Sequence, residues 1–63
     1  MKRTEQIGNA KVTADYSRLP KVYFTANIGG QAIWDDEKKE WVKCHKEFGW
    51  RFKAQLKAKF RLE

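Results

Sequence analysis

From Trp50 to Leu62, apolar and polar residues alternate without interruption. The apolar set is Trp50, Phe52, Ala54, Leu56, Ala58, Phe60 and Leu62; between them stand Arg51, Lys53, Gln55, Lys57, Lys59 and Arg61. Successive side chains of a β-strand point to opposite faces, so the pattern predicts a long amphipathic strand, apolar beneath and cationic above. A helix is the competing reading. Lys, Ala, Gln, Leu and Arg favour helices, and Phe48, Phe52, Leu56 and Phe60 recur every four residues. Against the helix, Trp50 falls roughly opposite that stripe, and Gly49 in a helix interior costs about 1 kcal/mol. The alternation decides for the strand.

Upstream, residues 10–16 alternate with Ala10, Val12, Ala14 and Tyr16 on one face, and residues 21–28 with Val22, Phe24, Ala26 and Ile28. Pro20 separates them, because it lacks a ladder donor and holds Leu19 extended. Gly29-Gly30 suits a two-residue hairpin turn, which makes 31–34 the returning strand with Ile33 opposite Ala26 and Trp34 opposite Thr25. Residues 36–48 then read as a helix. Asp35 or Asp36 caps it, acids fill its first turn, Trp41, Cys44, His45 and Phe48 form its stripe, and Gly49 ends it. The fold class is α+β: a small antiparallel sheet in the order β-β-β-α-β, one helix packed on it, and the long C-terminal strand. The alternative takes residues 33–42 as a second hairpin with 36–39 as its loop, giving a small all-β barrel. Residues 1–8 are polar and aperiodic and read as a frayed terminus, and Leu62-Glu63 as a possible tag remnant.

Sixty-three residues make one domain, spanning 1–63, and bury too little surface to be robust without help. One cysteine, Cys44, forms no internal disulfide, and one histidine, His45, completes no zinc set. Self-association is the remaining stabiliser. A thirteen-residue strand spans about 43 Å, against a diameter of about 27 Å for a domain of this size. Such a strand projects and invites a second copy, so a homodimer is expected. No apolar run is long enough to span a membrane, and the lone thiol fits a reducing, cytoplasmic setting.

The net charge of +6 is uneven. Residues 1–42 hold seven Lys/Arg against six Asp/Glu, whereas residues 43–63 hold seven against two. Asymmetry of this kind points to polyanions. Arg51, Lys53, Lys57, Lys59 and Arg61 share the strand's polar face at about 6.6 Å spacing, close to the rise of two base pairs, and so form a ladder for phosphates. Arg18, Lys21 and Lys11 extend the patch, and Tyr23 and Trp34, set on the hairpin face away from Phe24, offer stacking surfaces for bases. Cys44 and His45 are chain neighbours and point apart on a helix, a poor nucleophile–base pair, and the acids at 35–40 read as caps. No enzyme and no cofactor is expected. The reading is a small nucleic-acid-binding module, largely independent of sequence, with DNA or RNA phosphates as partner. The alternative is a protein-interaction or inhibitor module that docks on an acidic protein or adds a strand to one.

Overall fold

The computed structural model describes residues 1–46 and 48–62. Five strands, β1 (Lys2–Ile7), β2 (Ala10–Asp15), β3 (Lys21–Ala26), β4 (Gln31–Asp35) and β5 (Glu40–Cys44), precede one helix, α1 (Trp50–Phe60). The sheet is antiparallel throughout and runs β1-β2-β3-β4-β5, each strand beside its neighbour in sequence. It does not close into a barrel. The helix covers one face, where Val12, Phe24, Trp34 and Leu56 are the largest fully buried side chains. The α+β class stands, but the order is β-β-β-β-β-α. Among the described residues no helix is long and apolar enough to cross a membrane.

Strands β2 and β3 follow their alternation. Ala10, Val12, Ala14, Val22 and Phe24 all turn into the core. Residues 1–8, read as frayed, contain a strand. β1 pairs with β2 over six positions, from Lys2↔Asp15 to Ile7↔Ala10. Its polarity reflects its place at the sheet edge, where only Ile7 is fully buried and charged residues guard against further pairing.

The β3–β4 register also differs from expectation. Thr25 pairs with Gln31 and Val22 with Trp34, because the chain reverses through residues 27–30 instead of through the two glycines alone. The offset from the expected pairing is an odd number of residues, and an odd slip exchanges the two faces of a strand. Trp34 therefore sits beside Val22 and Phe24 in the core.

Residues 36–48 form a turn and a strand where a helix was expected, and within that span Glu47 lies outside the described residues. Asp35 Oδ1 accepts from the backbone N–H of Glu37 (3.0 Å) and Lys38 (3.1 Å). An Asx turn uses the same side-chain chemistry as a helix cap, so the acids alone do not distinguish the two. The apolar stripe misled for a separate reason. The β4–β5 register shifts at Ile33/Trp34, so that Trp34 pairs with Trp41 but Ile33 with Lys43, leaving Val42 as an extra residue. That bulge brings Trp41 and Cys44, three apart, onto one face. A bulged strand thus carries a helix-like spacing.

The segment from Trp50 is a helix, and the predicted C-terminal strand is overturned. Phe48, Leu56 and Phe60 are buried and Phe52 is half-buried, so the four-residue stripe is the core face. Gly49 lies outside the helix interior as its N-cap, with extended backbone (φ −68, ψ 175). Trp50, which argued against the helix, points to solvent and is 74% exposed. At the other end Arg61 adopts a left-handed conformation (φ 55), and the Leu62 N–H donates to Lys57 O at 3.0 Å. This Schellman-type closure buries Leu62 in the core, so that residue belongs to the fold. Glu63 lies outside the described residues. Eleven helical residues span only about 16 Å, so no strand projects, and that argument for a homodimer falls away. The bulge in β5 and the Arg3–Glu5 ion pair on β1 (2.8 Å) both discourage pairing at the sheet edges.

Candidate nucleic-acid interface

The helix carries the densest positive charge. Arg51, Lys53, Lys57, Lys59 and Arg61 lie within or just past it, and no carboxylate occurs from Phe48 to Leu62. At about 100° per residue they do not line one side. With Leu56 and Phe60 against the sheet, Arg51 and Lys59 fall on one flank and Lys53 and Lys57 on the other, with Ala54 and Ala58 outward between them. Burial agrees: Arg51, Ala54, Gln55, Ala58 and Lys59 are exposed, while Lys53 and Lys57 are half-buried.

The two flanks rest on different strands. Lys57 Nζ lies over the Trp34 ring, 5.3 Å from its centre. On the β1 side, Arg3 donates to Lys59 O (3.2 Å) and lies over the Phe60 ring (5.6 Å). At the start of the helix the Arg51 guanidinium sits 5.3 Å from the Trp50 ring. Both residues are exposed, forming a cation–aromatic pair open to solvent.

The remaining predicted residues are elsewhere. Tyr23 pairs with Asp15 and Ile33 on the sheet face away from the helix, and Arg18 stacks on its ring at 4.8 Å. The pair borders a shallow recess of about 360 Å³ whose lining includes Lys2, Asp15 and Gln31. By register Lys11 and Lys21 also face that side. Nine of the ten residues expected to form one surface therefore form two, on opposite sides of the sheet. Trp34 belongs to neither, because it is fully buried under α1 and closed over by Trp41, whose ring centre is 5.0 Å away.

Sequence reasoning missed Trp50 and Gln55 as exposed members of the helix surface. The signal was present in the helical wheel, which places both on the outward half. A second recess, about 320 Å³, lies at this end of the helix among Ile7, Ile28, Arg51 and Phe52.

Chemistry-bearing groups are few. Among the described residues no three His, Cys, Asp or Glu side chains gather as a metal site. Burial pushes the Cys44 thiol above its ordinary pKa, with Lys53 opposing, and Sγ lies 3.9 Å from Phe48 O. A raised pKa leaves less thiolate at any given pH. Cys44 is expected to react with a disulfide reagent at pH 8 more slowly in the folded protein than in urea. Equal rates would show the thiol to be free of this environment. The Lys39 ammonium, 2.8 Å away, holds the Asp36 carboxyl below the usual range. That pair ties the β4–β5 turn together.

No family model, curated protein or solved structure matches this chain.

Proposed function

We propose that this protein is a non-enzymatic nucleic-acid-binding module that contacts phosphates through the outer surface of α1. One observation carries the reading: five cations on or at the end of a single eleven-residue helix, with no carboxylate among residues 48–62. A concentration of positive charge on one helix attracts a polyanion over roughly a Debye length and releases its counterions on contact. Contacts of this kind hold the phosphate backbone and are largely indifferent to base identity. The half-buried single thiol is compatible with a reducing, cytoplasmic setting.

The test is a fluorescent oligonucleotide titrated at 50 and 200 mM salt. Neutralising about five phosphates gives a slope near −4.5 on duplex DNA, or a loss of roughly 500-fold across that range. Arg51→Glu with Lys59→Glu is expected to weaken binding at 50 mM salt at least tenfold, while Lys11→Glu with Lys21→Glu leaves it within threefold. The reverse ranking would move the contact to the far side of the sheet. Absence of binding at 50 mM salt would overturn the reading.

One observation favours a second reading, docking on an acidic protein. Ile28, 65% exposed, lines the recess with Arg51, and the 74% exposed Trp50 lies against the Arg51 guanidinium, joining apolar area to positive charge. That reading requires no oligonucleotide binding.

A further inference from the structure

The nucleic-acid reading leaves open which form of polyanion fits α1, and the arrangement of charge around the helix answers it. The wheel sets Lys53 and Lys59 about 120° to either side of the outward direction, marked by Ala54 and Ala58. Lys57 and Gln55 stand closer in, one on each flank, and Arg51 nearest the outward direction on the Lys59 side. Nothing among the described residues packs over this surface, and Arg51, Ala54, Gln55, Ala58 and Lys59 are all exposed. Positive charge on two flanks of a narrow cylinder complements two walls of phosphate on either side of it. The cylinder is about 10–12 Å across, and the B-DNA major groove is about 12 Å wide.

Other forms of nucleic acid fit less well. The major groove of A-form RNA is too deep and narrow for side chains to read. A single strand is held by successive stacking platforms along a cationic groove. On the outer surface of α1 Trp50 is the only exposed aromatic among the described residues.

We propose that α1 seats in the major groove of B-form DNA, with Lys53 and Lys59 reaching phosphates on opposite walls and Arg51 and Gln55 directed at base edges. The short Ala54 and Ala58 side chains let the helix backbone approach the floor of the groove. Arg matches the two acceptors of guanine, and Gln the donor and acceptor of adenine. A helix about 16 Å long covers about five base pairs. The inference rests on the proposed nucleic-acid binding and adds to it the ligand's form and a modest sequence preference.

The experiment compares a 16-base-pair DNA duplex, its separate strands and the RNA duplex of the same sequence, by fluorescence anisotropy at 50 mM salt. The DNA duplex is expected to bind at least tenfold more tightly than either alternative. Ala58→Phe fills the outward lane at an exposed site; it is expected to weaken duplex-DNA binding at least tenfold and to change single-strand binding less than threefold. Equal affinity for the three nucleic acids, or no effect of Ala58→Phe on the DNA duplex, would overturn groove insertion while leaving the broader reading intact. No binding to any of the three would overturn both. Circular dichroism of the variant confirms that its helix is retained.

Discussion

Replacing Trp34 by alanine is expected to leave a large part of the protein unfolded at 25 °C. The indole is fully buried, pairs across strands with Val22 and Trp41, and carries the Lys57 ammonium over its ring. Truncating a buried tryptophan costs about 3–5 kcal/mol, from lost burial and from the cavity left behind. A chain of this length is stable by only about 3–9 kcal/mol in total. The loss is therefore comparable with the whole. Urea unfolding followed by circular dichroism measures it. A Trp34→Ala protein with an unchanged midpoint but lost oligonucleotide binding would restore Trp34 as a contact residue and contradict its placement beneath the helix.

The second large effect concerns two adjacent glycines that look interchangeable in the sequence. Both have positive φ, +103 at Gly29 and +98 at Gly30. A methyl group at Gly29 meets nothing within 4 Å, whereas at Gly30 it lies 2.8 Å from Cε1 and 3.3 Å from Cζ of Phe48. Phe48 is buried and packs on Phe52, with ring centres 4.6 Å apart, so it has little room to retreat. Gly29→Ala is expected to lose about 1–2 kcal/mol from backbone strain alone. Gly30→Ala adds overpacking of about 1–3 kcal/mol. The difference between the two midpoints measures the packing of Phe48 against the turn. Equal losses would show that the ring yields freely.

The legible parts of the fold were those where one local pattern had one meaning. β2 and β3 alternate with β-branched and aromatic residues, and both form, although β3 ends at Ala26 and Ile28, read as part of its apolar face, lies exposed in the turn. β1 carries no pattern because an edge strand needs none, and β5 carries a false one because the bulge at Val42 turns a two-residue period into three. For residues 50–62, alternation and a four-residue stripe coexist, since Phe52, Leu56 and Phe60 satisfy both. Helix propensity and the solvent-facing Trp50 decide between them, and neither outweighs an unbroken alternation when the sequence is read alone. The candidate site was legible as a cluster of charge but not as a shape. A strand gathers Arg51, Lys53, Lys57, Lys59 and Arg61 on one face, whereas the helix spreads them over more than half its circumference. Lys11, Arg18, Lys21 and Tyr23 fall on the other side of the sheet because the pairing of strands, which no local window contains, sets their position.

The strictly sequential order of the strands has a kinetic consequence. Each β-pairing joins segments already close along the chain, so little loop-closure entropy opposes any of them, and the sheet can grow as a zipper. The exception is the junction of the last element with the first, where Arg3 meets Lys59 across a separation of 56 residues. That clasp, with Arg3 also over the Phe60 ring, joins the two ends of the chain. It should close late in folding, sealing an apolar sheet face that stays open to water until α1 arrives.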